Sequence, residues 1–257
     1  MFPQTFANAA FPDTGEFSSP DQSSEAAAKG DRPTTWKTVP QDILLDQKRI
    51  YWDFPRDLAH GKHWIPVAAF LGATGALIAL DQFESPYFRR TTTYHGFNTA
   101  LSGTDSSLII AAVPAATLLT GYITKNSYAK STALLMGEAI ADSEILNEVF
   151  KLTTRRARPE SILMQGNFAD TWLDSRTVTD GGFPSGHTIA AFSVATVVSR
   201  RYGHDHRWIP YLAYGAAGAI GFSRVTLSAH NVSDVFAGAA LGYIISRFVV
   251  LHRHQHD

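Results

Sequence analysis

The sequence contains no cysteine, and its charges nearly cancel. The absence of cysteine excludes disulfides, thiolate metal sites and cysteine nucleophiles, and it leaves the redox compartment open. The formal net charge of −1 gives no indication of nucleic acid as a partner. The first residues, "MFPQTFANAAFPDTGEF", lack the basic start and continuous apolar core of a signal peptide. The signal of an exported protein would therefore lie outside this sequence, stay uncleaved, or be an internal segment.

Composition divides the chain into three parts. Residues 1–33 are rich in Ser, Pro, Asp, Ala and Gly without any period, which predicts a disordered N-terminal arm. Residues 34–60 are predicted to form an amphipathic helix or a linker. Residues 61–257 are predicted to form one helical-bundle domain.

The amphipathic segment has two interpretations. Its apolar side chains could share one helical face, with Pro40 near the start of the helix. These side chains are Ile43, Leu44, Ile50, Tyr51 and Phe54. The helix either packs on the domain or lies at a membrane surface, and the sequence alone does not choose.

Six apolar segments follow, and none of them alternates strictly as a strand would. They are Trp64–Leu80, Leu108–Ile123, Thr132–Phe150, Thr188–Ser199, Ile209–Phe222 and Val235–Leu251. The fold class predicted from them is all-α, a bundle of six core helices. Gly238 and Gly242 form a GxxxG pair, which predicts a close contact between helices.

The length and composition of the segments favour a bundle that spans a membrane. A span needs about 20 apolar residues, and the first, second and sixth segments meet or approach that length. The third contains Glu138, Asp142, Glu144 and Glu148, which must face the bundle interior or water because carboxylates are unfavourable in hydrocarbon. The same six segments would also build a soluble bundle, which stays the alternative.

The first motif is "KLTTRRARP", residues 151–159. Lys151 and Arg158 are seven residues apart, two helical turns, so both can point from one helix face. Pro159 cannot continue a helix, which places Arg158 near a terminus. The motif could also be an ordinary basic run beside a membrane, and for Arg155 and Arg156 this interpretation is sufficient.

The second motif is "FPSGHT", residues 183–188. Ser185 can cap the helix that follows, and Gly186 lets a ligand approach the backbone closely. The N-terminus of a helix offers free N–H groups and partial positive charge, which suits phosphate. His187 on the first turn can exchange protons with a bound group. Taken alone, the motif is typical of a simple helix cap.

The third motif is "SRVTLSAHNVSD", residues 223–234. His230 and Asp234 are four residues apart and would share one face of a helix. Asp234 could then accept the proton of one imidazole nitrogen and leave the other nitrogen free to react. Arg224 precedes His230 by six residues. The alternative is a structural hydrogen bond between an aspartate at a helix start and a neighbouring histidine.

Topology brings the three motifs together. The first motif follows the third apolar segment, and the second motif precedes the fourth segment. The third motif joins the fifth segment to the sixth. An up-and-down bundle therefore places all three motifs at one end. One guanidinium group can donate two parallel hydrogen bonds to the oxygens of a phosphate. The cations and the helix N-terminus of the three motifs together suit a dianionic tetrahedral group. No acidic cluster of a metal-site type accompanies the motifs, so the expected reaction needs neither metal nor cofactor.

Lys-x6-Arg-Pro, Pro-Ser-Gly-His and Ser-Arg-x5-His-x3-Asp, in this order, resemble the motifs of the type 2 phosphatidic acid phosphatase family. The resemblance covers roughly residues 60–250. The family shares its helical core with vanadium-dependent haloperoxidases and bacterial class A acid phosphatases.

The resemblance implies a role for each motif residue. His230 would attack phosphorus and form a phosphohistidine, Asp234 would orient it, and His187 would protonate the leaving alcohol. The phosphoryl oxygens would be held by five residues, Lys151, Arg158, Ser185, Gly186 and Arg224. The residues themselves do not decide which histidine attacks, although Asp234 favours His230 and the helix N-terminus favours His187 as the acid.

The expected function is therefore a metal-independent phosphatase acting on phosphomonoesters or diphosphates, and lipids in a membrane are the favoured substrates. A haloperoxidase-like enzyme, a soluble non-specific acid phosphatase and an inactive membrane scaffold or transporter are the alternatives. Cationic residues are concentrated in the loops opposite the motifs, which predicts a bacterial inner-membrane protein with its site facing the periplasm. A soluble periplasmic enzyme is the alternative location.

The loop of residues 161–182 is expected to border the site. Its Phe168, Trp172 and Leu173 could contact a lipid chain or pack the loop down, and packing is the preferred interpretation. The histidines of the C-terminal "HRHQHD" and of the loop at residues 204–206 are expected to be solvated rather than metal ligands.

Overall fold

A computed structural model describes residues 34–163, 165–174 and 181–252. Within these ranges every regular element is helical, which confirms the all-α prediction. The predicted disordered arm, residues 1–33, and the C-terminal histidines His254 and His256 lie outside the described residues.

Nine α-helices are defined within the described part of the chain. They are α1 Val39–Lys48, α2 Phe54–Ala59, α3 Trp64–Arg90, α4 His95–Ala100, α5 Gly103–Ile123, α6 Ser127–Thr154, α7 Gly186–Tyr202, α8 Ile209–Thr226 and α9 Val232–Ile244. A π-helical turn, Arg49–Asp53, joins α1 to α2, and a second, Ile245–Val250, extends α9.

The first five predicted apolar segments lie within α3 and α5 to α8, and the sixth covers most of α9 and its π-helical extension. The largest difference concerns α3, which continues to Arg90 although its apolar segment ends at Leu80. Composition turns polar at Asp81, but the helix persists because Asp81, Glu84 and Ser85 occupy one face and meet the start of α9. The short helices α1, α2 and α4 are additional to the predicted core.

Helix α7 lies at the centre of the bundle and contacts α6, α8 and α9. Its Val197 has no exposed surface and joins Met136 and Ala139 of α6 in the core, and its Ile189 is also fully buried. The predicted close contact at Gly238 and Gly242 is confirmed. A Cβ on Gly238 would lie 2.8 Å from the carbonyl oxygen of Ser185, and one on Gly242 would collide with the backbone of Ile189.

Three helices are long and apolar enough to cross a membrane: Trp64–Arg90, Gly103–Ile123 and Val232–Val250, the last including the π-helical extension. Only 11% of the most apolar window of each of the first two is buried inside the protein. Large apolar side chains such as Phe83 (71% exposed) and Ile123 (73% exposed) point outward. The chain therefore has the apolar helices of a multi-pass membrane protein.

Helix α1 turns its polar side inward. Asp42 and Asp46 are fully buried, and Gln47 donates a 2.7 Å hydrogen bond to Asp142 of α6. The predicted apolar face is divided. Leu44 of α1 is 71% exposed and Tyr51 of the following π-helical turn is 41% exposed, whereas Ile50 packs against the hydrophobic core. The side of α1 that packs on α6 is therefore polar, and part of the predicted apolar face stays outside.

The carboxylates of α6 face the bundle interior or are partly exposed, as expected. Glu138 and Asp142 are fully buried, while Glu144 is partly buried and the side chain of Glu148 is 49% exposed. With Asp46 of α1, Glu138 and Asp142 place three carboxylate oxygens within 4.8 Å of one another. On α6 this cluster lies about two and a half to three and a half helical turns before Lys151.

Candidate active site

The three motifs meet at one end of the bundle. The first motif differs from its prediction, because α6 ends at Thr154 and Arg155 adopts a left-handed conformation with φ of 42°. Lys151 therefore lies on the last turn of α6, and Arg158 lies in an extended segment rather than two turns further along one helix. The expectation that both share a helix face is wrong, because the chain leaves the helix before Arg158.

The loop of Gly181 and Gly182 lies between the two cations of the first motif. A Cβ on Gly181 would lie 3.2 Å from Cα of Lys151, and one on Gly182 would lie 3.5 Å from Cγ of Arg158. The N–H of Gly182 also donates a 2.7 Å hydrogen bond to the carbonyl of Arg156. Only residues without a side chain fit this closely, so the double glycine brings the loop onto the first motif.

Ser185 occupies the N-cap position of α7 and is fully buried. Its hydroxyl accepts a 2.9 Å hydrogen bond from the hydroxyl of Thr188 and makes no cap hydrogen bond to the first-turn backbone. The predicted side-chain cap is therefore absent. The backbone N–H of Ser185 instead donates to the carbonyl of Asp234 at 3.0 Å, which joins the second motif to the third.

His187 stands on the first turn of α7 and faces α5. Its Nε2 lies 3.0 Å from the carbonyl oxygen of Gly103 and 3.0 Å from the hydroxyl of Ser107. A Cβ on Gly103 would lie 3.5 Å from Nη1 of Arg224, so His187 and Arg224 share Gly103 as a neighbour. Helix α5 thus contributes to the site, which its apolar sequence gave no reason to expect.

Arg224 lies at the end of α8 and is 2% exposed. Its guanidinium donates to the carbonyl of Leu101, to the hydroxyl of Ser106 at 3.0 Å and to the hydroxyl of Ser223 at 2.8 Å. These bonds are formed with neutral oxygens, so the positive charge of Arg224 is held in place without a carboxylate among these partners.

His230 is 5% exposed, and its Nδ1 lies 2.6 Å from the carbonyl oxygen of Gly182. A carbonyl can only accept, so Nδ1 carries the proton of the neutral imidazole and Nε2 keeps its lone pair. Burial, followed by the positive charge of Arg158, lowers the pKa of His230 to about 3. The site therefore holds a neutral histidine with one free nitrogen.

Asp234 lies on the first turn of α9, whereas His230 precedes that helix. The prediction that the two share a helix face is therefore wrong, although they remain neighbours. Oδ2 of Asp234 lies 3.9 Å from Nδ1 of His230 and accepts a 2.7 Å hydrogen bond from the N–H of Asn231. In the structure, Gly182 rather than Asp234 accepts the proton of His230.

Arg156 is 1% exposed and forms two buried ion pairs, which the interpretation as a flanking basic run did not anticipate. Its Nη1 lies 2.6 Å from Oδ1 of Asp234, and its Nη2 lies 2.6 Å from Oδ2 of Asp81. The guanidinium also lies 4.7 Å from the ring centre of Trp172. The sequence offered one indication of this ion pair. Asp81 is a charged residue directly after a long apolar segment, and such a residue needs a buried partner.

Two carboxylates accompany the cations of the first motif. Lys151 donates a 2.7 Å hydrogen bond to Glu148, and Arg158 lies 3.5 Å from Glu160. Both carboxylates are about half exposed, so an anion that reaches the site competes with them for Lys151 and Arg158.

Within the described part of the loop at residues 161–182, Phe168 and Trp172 are packed down, in agreement with the preferred interpretation. Phe168 is 8% exposed, and the ring of Trp172 lies 5.4 Å from that of Phe183. Leu173 is 67% exposed and is the residue of this aromatic and apolar set that stays available for a ligand.

Comparison with known proteins agrees with the motifs. Residues 132–256 match the family model described as the PAP2 superfamily. All three motifs lie inside this region, which confirms the resemblance to the type 2 phosphatidic acid phosphatases. Helices α3 and α5, which supply Asp81, Gly103 and Ser107 to the site, precede the matched region.

Two characterised relatives are phosphatases of lipids by name. The chain is 40% identical over 63 residues to a lipid A 1-phosphatase of Porphyromonas gingivalis, an alignment covering 24% of this chain and 14% of the relative. It is 30% identical over 146 residues to lipid phosphate phosphatase gamma of Arabidopsis thaliana, which covers 53% of this chain and 60% of the relative. The chain thus spans less than two thirds of either relative.

A solved structure also aligns with the chain. It is the crystal structure of a transmembrane PAP2-type phosphatidylglycerolphosphate phosphatase from Bacillus subtilis, at 18% sequence identity and a TM-score of 0.44. The alignment covers 86% of this chain and 96% of that chain.

Proposed function

We propose that this protein, whose residues 132–256 match the PAP2 superfamily, is a membrane phosphatase that hydrolyses lipid phosphates through a phosphohistidine. The observation that carries the proposal is the state of His230. It is buried, neutral and protonated on Nδ1, so its Nε2 is free to attack, and the cations Arg158 and Arg224 contribute to its lowered pKa.

In the first step, Nε2 of His230 forms a bond to phosphorus while the bond from phosphorus to the ester oxygen breaks. The electron pair of the broken bond leaves with that oxygen, which takes a proton from His187. Lys151, Arg158 and Arg224 bind the phosphoryl oxygens and stabilise the charge that develops in the transition state.

In the second step, a water molecule gives a proton to His187 while its oxygen bonds to phosphorus. The bond between phosphorus and Nε2 breaks, and inorganic phosphate is released. In these two steps the attacking residue is His230, because its hydrogen bond to the carbonyl of Gly182 fixes its tautomer. His187 then serves as the proton donor from the first turn of α7, where the partial positive charge of the helix favours an anion nearby.

The protein is proposed to lie in the bacterial inner membrane with its site facing the periplasm. The loops and helix ends opposite the site carry Lys125, Lys130, Arg200 and Arg207, and further cations lie on residues 37–62. Segments rich in such cations tend to stay cytoplasmic. Arg89 and Arg90 lie at the catalytic end and act against this preference.

Helix α1 is proposed to lie at the membrane surface. Its buried Asp42 and Asp46 lie on the inner side, while Leu44 and, in the π-helical turn that follows, Trp52 are each more than half exposed. An outward apolar face is stable when it enters the boundary between lipid head groups and acyl chains. Just before α1, the indole N–H of Trp36 donates a 3.3 Å hydrogen bond to the hydroxyl of Tyr122, which ties this segment to the end of α5.

The test is a phosphate-release assay with the full chain purified in detergent. The substrates are phosphatidic acid, a prenyl diphosphate, a lipid A phosphate and a soluble aryl phosphate. We expect release from at least one lipid, no requirement for divalent metal, and complete loss of release in His230→Ala. His204→Ala, which changes a histidine at the opposite end, is the matched control and should retain activity.

Wild-type turnover in His230→Ala would exclude the phosphohistidine mechanism. Halide oxidation that appears on adding vanadate, without hydrolysis of any of the four substrates, would favour a haloperoxidase-like enzyme. Strict dependence on a divalent metal would contradict the metal-free reaction.

A further inference from the structure

We propose that Arg156, held by Asp81 of α3, is a positioning residue for His230. The inference rests on the proposed phosphatase function and adds to it a residue outside the roles implied by the three motifs. Arg156 reaches His230 by two routes, one through its backbone and one through its side chain.

The backbone route passes through Gly182. The carbonyl of Arg156 accepts a 2.7 Å hydrogen bond from the N–H of Gly182. The carbonyl of the same glycine accepts the proton of His230 Nδ1 at 2.6 Å. The position of the Arg156 backbone therefore holds the Gly182 carbonyl, and this carbonyl sets the tautomer of His230.

The side-chain route passes through the first turn of α9. Nη1 of Arg156 donates to Oδ1 of Asp234 at 2.6 Å and to the hydroxyl of Ser233 at 2.7 Å. The other oxygen of Asp234 accepts from the N–H of Asn231 at 2.7 Å, and Asn231 directly follows His230. A guanidinium that holds Asp234 thus holds the chain on the C-terminal side of His230.

Helix α3 fixes Arg156 from the opposite side. Oδ2 of Asp81 accepts from Nη2 of Arg156 at 2.6 Å and from the hydroxyl of Ser233. Glu84 accepts a 3.0 Å hydrogen bond from the N–H of Val232, one turn further along α3. The start of α9 is therefore held by side chains of a helix that lies outside the region matched by the family model.

The geometry demands arginine rather than lysine. Each terminal nitrogen of the guanidinium faces a different carboxylate, and Nε donates to the hydroxyl of Thr171 at 3.0 Å. The planar fork of arginine reaches all three acceptors at once, whereas an ammonium group is a single point charge. Arg156 and Asp81 are each 1% exposed and Asp234 is fully buried, so loss of one partner leaves a buried charge unpaired.

The experiment compares Arg156→Gln, Arg156→Lys, Asp81→Asn and the double variant of Arg156→Gln with Asp81→Asn. Hydrolysis of the preferred substrate gives kcat and KM, and thermal unfolding in detergent reports folding. We expect kcat to fall about 100-fold in Arg156→Gln, because small displacements of a reacting group have effects of that size. KM should change less than about twofold, because every nitrogen of the Arg156 guanidinium already donates to a protein group and a phosphate would be bound by other residues.

The other variants separate positioning from folding. Arg156→Lys should recover part of kcat, and the double variant should lose little more than Arg156→Gln alone, because residues of one network are not additive. Arg155→Lys, the neighbouring arginine, is the matched control and should keep wild-type kcat. If Arg156→Gln does not fold, Arg156→Lys and Asp81→Asn decide, and wild-type kcat in both overturns the proposal.

A measurement that does not depend on substrate hydrolysis separates a failure of this proposal from a failure of the proposed function. Nitrogen NMR of labelled histidine, assigned with His230→Asn, reports the Nδ1–H tautomer of His230 in the resting protein. A weakened or shifted signal in Arg156→Gln supports the positioning role even if no substrate of the panel is hydrolysed. An unchanged signal together with unchanged kcat overturns it while leaving the phosphatase intact.

Discussion

The carbonyl oxygen of Gly182 lies 2.6 Å from Nδ1 of His230 and accepts its proton. The bond links the loop before α7 to the segment before α9, and it leaves Nε2 as the reactive nitrogen. It also connects two residues that are 48 positions apart in the chain. The chemistry of His230 is therefore set by a backbone group rather than by the carboxylate of Asp234 alone.

The stability of the protein should depend on the neutrality of His230. Its pKa is about 3 in the folded protein, against about 6.5 in an unfolded chain. Below pH 6.5 the unfolded chain binds a proton that the folded protein does not, so this contribution to stability is full above 6.5 and falls as the pH drops toward 3. Wild type should therefore lose more stability between pH 7 and pH 4.5 than His230→Asn does.

The measurement is thermal unfolding in detergent at several pH values for both proteins. The variant should unfold at a temperature that depends less steeply on pH in this range. Equal slopes for the two proteins would show that His230 binds protons alike in the folded and the unfolded chain, which would contradict its lowered pKa.

Removal of Glu148 should strengthen substrate binding. Its carboxylate holds Lys151 at 2.7 Å, and a phosphate must replace it. Because half-exposed ion pairs are weak, Glu148→Gln should lower KM by about two- to fivefold and leave kcat nearly unchanged. The measurement is a steady-state titration of substrate, repeated at high salt, where the difference should shrink.

Asp57→Asn is the matched control for Glu148→Gln, because Asp57 pairs with Lys62 at 2.9 Å before the first long helix. It should leave KM unchanged. A rise of KM in Glu148→Gln would show that the carboxylate orients Lys151 toward the phosphate rather than competing with it.

Local sequence patterns were sufficient for the framework of the fold. The six long helices follow from apolar runs, and reversal of the chain between them places Lys151, Ser185 and His230 at one end. The patterns could not predict which side chains from different helices contact each other inside the bundle. Asp81 and Arg156 are 75 residues apart, and no periodicity relates a polar break in one helix to an arginine beyond another.

Two expectations failed for a related reason. Lys151 with Arg158, and His230 with Asp234, were placed on common helix faces from their spacing alone. In both cases the chain leaves or begins a helix between the two residues, since α6 ends at Thr154 and α9 begins at Val232. Helix termini depend on contacts formed elsewhere, such as those of Asp81 and Glu84 with the start of α9.

A methyl group on Gly238 should disturb both packing and catalysis. A Cβ there would lie 2.8 Å from the carbonyl oxygen of Ser185, so α7 or α9 must shift. Overpacking of this kind destabilises by about 1–3 kcal/mol, and the shift would also displace Ser185 from the site. Gly238→Ala should therefore lower both the unfolding temperature in detergent and kcat.

Gly218→Ala on α8 is the matched control, because a Cβ at that position would meet no atom within 4 Å. It should be neutral or gain up to about 1 kcal/mol from the better helix propensity of alanine. Equal effects of the two substitutions would show that the contact of α7 with α9 is looser than the structure indicates.

The absence of cysteine makes the orientation in the membrane directly measurable. Leu163 is 80% exposed in the loop at the catalytic end, and the side chain of His204 is 97% exposed at the opposite end. If the site faces the periplasm, a membrane-impermeant maleimide should label Leu163→Cys in intact bacteria and label His204→Cys only after the inner membrane is opened. The reverse pattern would place the site in the cytoplasm, and labelling of both in intact cells would contradict a protein that spans the membrane between them.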